Sequence, residues 1–484
     1  MTEIQPQNVR RQRGGVGWPW WLLAGGCVLV VVLALLLPRR DHGGGQAPPA
    51  TGTAGGGGTG GGGDATEARS KHTRTRPRPA SAEERAKAQE IVARKLTQFG
   101  QIRHRIVVDM AKKHGVTLTP DVESFFAAVQ GGKWEEIEAA FQKLTQEEKD
   151  EKSPLAGKLR QIWRPIQEVY GAAEQVQKWP AERFLEYGNS ILDSLRPGMI
   201  YAGGTDSGCF IATMLNDTSE GERHIVLTQN ALADSTYLEY LDFLYGDRMA
   251  TLNAEDSQRS FQDYLAEAQK RVQHDQQFPD EAKQLKPGEE VKVVDNRVQV
   301  SGQVAVMGVN EKLFQMLMEK NPGVAFAMEE SFPFASMSAK ASTLGPVMEM
   351  GVSDPETALT QERAAQSVDY WRGAADQLLA DPDTPEGSDA RKSYSKLISS
   401  QAGLLADRKF TAEAEQDFQI AAELCPESPE VVFRYVNLLV SQNRGPEALP
   451  VVENAIRADP GNAQFQALRE QLRTMASKGG AAAN

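Results

Sequence analysis

The chain contains few cysteines and histidines. Three of its 484 residues are cysteine, and Cys27, Cys209 and Cys425 lie too far apart in sequence for a disulfide framework or a C-x-x-C metal site. Its six histidines include no H-E-x-x-H pair, and the sequence has no G-x-S-x-G nucleophile elbow. The sequence therefore predicts no metal site and no bound cofactor, because the common metalloenzyme and hydrolase motifs are missing.

A complete nucleotide-binding motif is also missing. Gly203 and Gly208 have the glycine spacing of a phosphate-binding loop, but Cys209 and Phe210 replace the lysine and the serine or threonine that contact phosphate and magnesium. Thr205 stands where the second glycine of G-x-G-x-x-G would be. We therefore expect neither a nucleoside triphosphate nor a dinucleotide at this turn.

The chain beyond the first 78 residues is acidic overall. That segment holds ten basic and four acidic side chains, a net of +6, so the chain's net charge of -12 leaves -18 for the remainder. An acidic body of this kind argues against nucleic acid as the main partner.

One uncharged apolar run is long enough to cross a bilayer. Trp18–Leu37 spans 20 residues, or about 30 Å as a helix. Arg10, Arg11 and Arg13 precede it and no A-x-A cleavage pattern closes it, which favours an uncleaved anchor with a cytoplasmic N-terminus. We predict a cytoplasmic segment (1–17), one membrane span (18–38) in a bacterial inner membrane, and a body on the outer side.

Residues 39–80 have the composition of a disordered linker. They include glycine runs and a basic tract, Arg69–Arg78, and cannot bury enough apolar surface to fold. A flexible coil of this length spans roughly 35 Å. The basic tract either contacts acidic lipid headgroups or is simply solvated.

Helices dominate the predicted helical domain, residues 81–180. Ser81 with Glu84, and Thr145 with Glu148, fit the capping-box pattern, and Thr119-Pro120 is a typical helix start. Two further helices, 122–129 and 134–141, joined through a glycine pair, predict a helical hairpin.

A strand, glycine turn, helix and strand open the predicted α/β domain, residues 181–355. Met199–Ala202 and His224–Gln229 are short apolar runs separated by the helical pattern Ser207–Leu215, which favours a parallel pair. Asp234 is placed to cap the next helix and Gly246 to end it in a left-handed conformation.

Later in this domain we predict a β-hairpin over 291–300, turning at Asp295-Asn296. A helix over 311–320 and a buried strand over 324–328 follow it. The hairpin is either an insertion or an edge of the sheet.

Ligands of parallel sheets bind beyond the carboxyl ends of the strands, where this sequence has polar residues. Free N–H groups at the glycine turn can hold an anion, and converging carboxylates can bind a cation or sugar hydroxyls or share a proton. In the alternative, Asp206 caps its own turn and Glu329 and Glu330 face water. The candidate ligand-binding residues are Gly203, Gly204, Thr205, Asp206, Ser207, Gly208, Asn230 and Glu329.

The C-terminal segment, residues 356–484, repeats with a period of 34. Four positions recur at that offset: an alanine, a large apolar residue, a second alanine and a proline. They are Ala414, Phe418, Ala421 and Pro426 in the first unit, and Ala448, Val452, Ala455 and Pro460 in the second. This pattern resembles the tetratricopeptide repeat, in which small residues lie where helices cross and proline ends each unit. Lys409 and Asn443 stand where glycine is usual. We predict helices over 361–380 and 392–407 before the second helix pair, and a capping helix over 462–477.

The resemblance implies a concave surface for a peptide or a protein partner. The alternative is a purely structural bracket for the α/β domain. Two repeats alone rarely hold a core, so we expect them to pack on the preceding helices.

A second resemblance covers residues 185–475. The run YAGGTDSG, followed by VLTQNALADSTYLEYLDFLYGDRM and a repeat tail, resembles the soluble portion of bacterial glycosyltransferase-like membrane proteins related to protein O-mannosyltransferases. That resemblance implies a cell-envelope setting and glycan-linked partners.

The predicted fold class is multidomain α and α/β: a single transmembrane helix, a flexible linker, a helical domain, a small three-layer α/β domain and tetratricopeptide repeats. The expected function is a membrane-anchored, envelope-facing scaffold that binds protein through the repeats. The alternative is a glycan-handling α/β domain, transferase-like or sugar-binding, with its site around Asp206. The missing catalytic motifs favour a role without catalysis but do not decide it.

Overall fold

A computed structural model of the chain describes residues 80–149, 156–286, 288–294, 297–330 and 332–481. This part contains sixteen α-helices and seven short strands. The helices are α1 (Ala82–His114), α2 (Pro120–Gly131), α3 (Trp134–Lys149), α4 (Ala156–Lys178), α5 (Ala181–Ser194), α6 (Ala212–Asp217), α7 (Ser235–Tyr245), α8 (Ala254–Gln277), α9 (Gly302–Lys320), α10 (Pro355–Ala358), α11 (Gln361–Ala380), α12 (Asp389–Asp407), α13 (Thr411–Leu424), α14 (Pro429–Ser441), α15 (Gly445–Ala458) and α16 (Ala463–Ala481).

The strands form one mixed sheet and one separate hairpin. They are β1 (Ile200–Gly203), β2 (Ile225–Thr228), β3 (Glu290–Val294), β4 (Arg297–Ser301), β5 (Phe326–Met328), β6 (Ala341–Leu344) and β7 (Val347–Met350). The sheet has the order β2-β1-β5-β7-β6. β1 is parallel to β2 and β5, whereas β7 is antiparallel to β5 and β6. The predicted parallel pair is therefore confirmed. The predicted hairpin is also confirmed, because β3 and β4 pair with each other and form a separate two-stranded sheet in the described part of the chain.

The predicted fold class is wrong. A three-layer α/β domain would cover a parallel sheet with helices from its own segment. Here half of the sheet is antiparallel, and helices from outside 181–355 pack against it: Gln175 of α4 bonds to Ser207, and Gln401 of α12 bonds to the β6–β7 turn. The described part of the chain is mostly helical, with a small mixed sheet packed between helices.

The membrane part of the predicted fold class has no support in the described residues. None of their helices is both long and apolar enough to cross a bilayer. The predicted cytoplasmic segment (1–17), span (18–38) and all of the linker except residue 80 lie outside them.

Most predicted helix starts have the expected capping contacts. Ser81 and Glu84 form a capping box, and Thr119 and Asp234 each accept a hydrogen bond from a backbone N–H of the first turn. The second predicted box is wrong, because Thr145 lies inside α3 and its hydroxyl donates to the Phe141 carbonyl at 2.9 Å.

Gly246 does not end α7 in a left-handed conformation, since its φ is -61°. A Cβ there would lie 2.7 Å from the Asp242 carbonyl oxygen and 2.9 Å from its carboxylate. Close packing, and not a positive φ, therefore accounts for this glycine.

A buried charged cluster joins the first helices to the sheet region. The Arg103 guanidinium, 2% exposed, contacts Glu168 at 2.5 Å and Asp217 at 2.7 Å, and the Tyr240 hydroxyl donates to Glu168 at 2.8 Å. These four side chains connect α1, α4, α6 and α7. Since an unpaired buried charge costs several kcal/mol, the cluster fixes how these helices pack.

The repeat prediction is confirmed in detail. The six predicted alanine, phenylalanine and valine positions are at most 1% exposed and lie in α13 and α15. Lys409 and Asn443, which replace the usual glycines, have positive φ values of 67° and 61°. Both residues thus adopt the left-handed conformation that glycine would adopt more easily.

The helix α12 and the residue that follows it also pack on the sheet. The Gln401 amide donates to the Gly345 and Val347 carbonyls at 2.7 and 3.0 Å, and it accepts from the buried Trp371 indole N–H. Arg408 donates to the carbonyls of Ala341 and Pro355 at 3.1 and 2.8 Å. The repeats therefore form one buried core with the rest of the described chain.

Candidate functional site

The glycine turn after β1 holds a carboxylate of the protein itself. The backbone N–H groups of Gly204 and Thr205 donate to Glu329 Oε2 at 2.9 and 3.0 Å, and Thr205 Oγ1 donates to Glu329 Oε1 at 2.5 Å. The Tyr187 hydroxyl donates to the same oxygen at 3.3 Å. The anion-binding groups predicted for a ligand are thus used by Glu329, which is 1% exposed.

The surroundings of Glu329 keep its donors in place. Burial and the Glu329 carboxylate raise the pKa of the Tyr187 hydroxyl well above its usual value, so the tyrosine remains a proton donor. A Cβ on Gly208 would lie 1.5 Å from Glu329 Oε2, and one on Gly203 would lie 2.8 Å from the Gly208 carbonyl oxygen. Both glycines are therefore needed to let the turn close around the carboxylate.

The next residue, Glu330, ties the sheet to the repeats. Its carboxylate, 8% exposed, meets the Arg434 guanidinium of α14 at 2.6 Å and accepts from the Ser400 hydroxyl of α12 at 3.4 Å. Burial raises the pKa of Glu330, and Arg434 opposes this shift. The alternative in which these glutamates face water is wrong.

A cavity of about 570 Å³ lies beside the turn. Residues from six parts of the chain line it: the end of α4, the glycine turn, Asn230 after β2, α9, Phe332 after β5 and the start of α12. Among the predicted residues, Gly204, Thr205, Asp206, Ser207 and Asn230 line this cavity. Gly203, Gly208 and Glu329 do not line the cavity; they hold the turn in its conformation.

Asp206 is the carboxylate of the glycine turn that lines the cavity. It begins the π-helical turn Ser207–Ile211 without capping it by a side-chain hydrogen bond, so the predicted alternative role as a cap is wrong. Burial, then Glu174, raise the pKa of Asp206, while Lys178 and Lys396 act against the shift. The described chain gives this carboxylate two lysines nearby but no hydrogen-bond partner.

Sequence reasoning missed the residues that other segments bring to the cavity. Three lysines and an aspartate line it from α4 and α12, namely Lys178, Lys392, Lys396 and Asp389. Gln175 and Ser393 hydrogen-bond to Ser207 at 3.0 Å each, which joins both helices to the turn. No local motif marks these residues; only their helical spacing, with Asp389, Lys392, Ser393 and Lys396 on one face, could have grouped them.

The two described cysteines are unsuited to nucleophilic chemistry. Cys209 is buried and donates to the Gly203 carbonyl at 3.0 Å, and burial raises the pKa of its thiol well above the usual value. Burial and Glu427 raise the pKa of Cys425 to about 12. Both thiols stay protonated at neutral pH, when they are poor nucleophiles.

Comparison with known proteins identifies the repeat segment. Residues 405–472 match the family model of the tetratricopeptide repeat. Such repeats are protein-binding modules, so the match supports a scaffold role. No curated protein and no solved structure matches the chain. The resemblance of the central region to glycosyltransferase-like membrane proteins is therefore not supported.

Replacing Glu329 with glutamine tests its structural role. The Glu329→Gln side chain places an amide donor against the N–H and hydroxyl donors of the turn, which leaves buried donors without an acceptor. We expect the free energy of unfolding of the full chain to fall by about 3 kcal/mol in urea denaturation. Glu319→Gln makes the same change on an exposed face of α9, and should shift stability by less than about 0.5 kcal/mol. Equal effects of the two substitutions would contradict this role.

Proposed function

We propose that this protein is a scaffold that captures a protein partner through its tetratricopeptide segment. The observation that carries the proposal is the match of residues 405–472 to this repeat, together with the buried small residues that hold its helix pairs together. The missing catalytic motifs and the protonated thiols are consistent with binding as the main activity.

The packing of the repeats restricts where a partner can bind. Gln401 of α12 and Arg408, the residue after that helix, already contact the sheet, and Arg434 of α14 contacts Glu330 just after β5. We therefore assign partner binding to the outer helices α15 and α16. These helices expose side chains of both charges, among them Arg457, Glu470 and Arg473.

Site-specific photocrosslinking in cells tests this assignment. A photoreactive amino acid would replace Arg457, Glu470 or Arg473, one position at a time, in the full-length chain. Because the proposal places one partner across α15 and α16, we expect adducts to one and the same protein, identified by mass spectrometry.

Two exposed positions on α8, Asp263 and Lys270, serve as matched controls. They should give no adduct with that protein. Adducts of equal yield from α8 and from the repeat helices, or different proteins at each repeat position, would contradict the proposal.

We further propose that the scaffold is tethered to a bacterial inner membrane with its body on the outer side. The support is the uncharged run Trp18–Leu37 with basic residues before it, followed by a glycine-rich segment long enough to act as a spacer. In such an arrangement the repeats would sample partners within reach of the linker, in the cell envelope.

A topology reporter tests this tether. We expect an alkaline phosphatase fused after residue 81 to be active, because that enzyme needs the oxidising environment outside the cytoplasm. A fluorescent protein that folds only in the cytoplasm, fused at the same point, should be dark. The reverse pattern, or release of the full chain from membranes by alkaline carbonate, would refute the proposed location.

A further inference from the structure

The cavity beside the glycine turn has the dimensions of a small-molecule site. Its volume of about 570 Å³ falls within the roughly 300–1,000 Å³ typical of such sites. It lies where α4, α9 and α12 meet the carboxyl ends of the parallel strands β1 and β2, the edge at which parallel strands bind ligands.

The polar part of the wall suits hydroxyl groups. Gln175, Asn230 and Gln303 contribute amides, each with donors and an acceptor, and Ser207 and Ser393 contribute hydroxyls. The Asp206 carboxylate faces the same space and lacks a hydrogen-bond donor within the described chain. Groups that both donate and accept, beside a carboxylate that only accepts, match a ligand with several hydroxyl groups.

Charge at the cavity favours an anion. Lys178, Lys392 and Lys396 outnumber Asp206 and Asp389 among its lining residues. Lys178 pairs with Glu174 at 3.0 Å and Lys396 lies 3.9 Å from Glu430, whereas Lys392 forms no ion pair within the described chain. Because Glu329 already fills the N–H groups of the turn, an anionic group of a ligand would bind on the lysine side.

The remaining wall is apolar. Val306 and Met307 of α9 line it, and Val306 is 51% exposed although it lies on a helix packed against the sheet region. Phe332 completes this side, with its carbonyl held by the Gln229 amide at 3.3 Å. Such a surface can cover the C–H face of a ring.

We propose that this cavity binds a small anionic polyol, with its anionic group at Lys392 and a hydroxyl donating to Asp206. The ligand carries a phosphate or a carboxylate on a hydroxyl-bearing ring or chain. This site is separate from α15 and α16, so it adds a ligand to the proposed scaffold and does not depend on that role.

Calorimetry and thermal shift on the purified full-length chain test the proposal. The probes are glucose 6-phosphate and glucuronate, which distinguish a phosphate from a carboxylate, with glucose, inorganic phosphate and glutamate as comparison compounds. We expect at least one sugar anion to bind and to raise the unfolding midpoint. Asp206→Asn and Lys392→Gln should each weaken that binding about tenfold, because each removes a charge-assisted hydrogen bond.

Two matched substitutions are the controls. Asp109→Asn and Lys87→Gln make the same chemical changes at exposed positions of α1, and should leave the affinity unchanged. Absence of binding by both sugar anions would overturn the proposal, as would binding that both cavity variants retain. Equal affinity for inorganic phosphate alone, or for glutamate, would also overturn it, because the hydroxyl groups would then contribute nothing.

Discussion

Two adjacent buried carboxylates at the end of β5 determine how the rest of the structure is arranged. A charge buried without partners costs several kcal/mol, so Glu329 and Glu330 must each find donors. Side chains of adjacent residues in an extended segment point in opposite directions. Glu329 takes the donors of the glycine turn, and Glu330 takes Arg434 of the repeat segment. One dipeptide thus holds together segments that lie about a hundred residues away on either side.

This arrangement explains why the glycine turn is not a nucleotide site and why a cavity still lies next to it. The N–H groups that would bind a phosphate donate to Glu329 instead. The cavity lies next to this turn, where Asp206 lines it. Helix α12 lines the cavity with Lys392 and Lys396, while its other residues, such as Gln401, contact the sheet. The same helix therefore belongs to the cavity, to the sheet contact and to the base of the repeats.

Local patterns predicted the parts of the fold that local chemistry decides. The strand–helix–strand unit, the hairpin, the caps at Ser81, Thr119 and Asp234, and the 34-residue repeat all follow from nearby residues, and the structure confirms them. The sequence could not show that Glu329 pairs with a turn 125 residues before it, or that Lys178 and Lys396 lie near Asp206. Such contacts depend on tertiary packing. The fold class failed because β6 and β7 add antiparallel pairs to the sheet, and because α4 and α12, from outside the predicted domain, pack against the sheet region.

The most direct test of this account is a double-mutant cycle between Glu330 and Arg434. The free energy of unfolding of the full-length chain would be measured in urea for Glu330→Gln, Arg434→Gln and the double variant. Because each substitution breaks the same buried pair, the double variant should lose less stability than the sum of the two single variants, with a coupling of at least ~1 kcal/mol. Additive effects, within ~0.5 kcal/mol, would show that the two residues do not interact and that the sheet and the repeats are not held together by this pair.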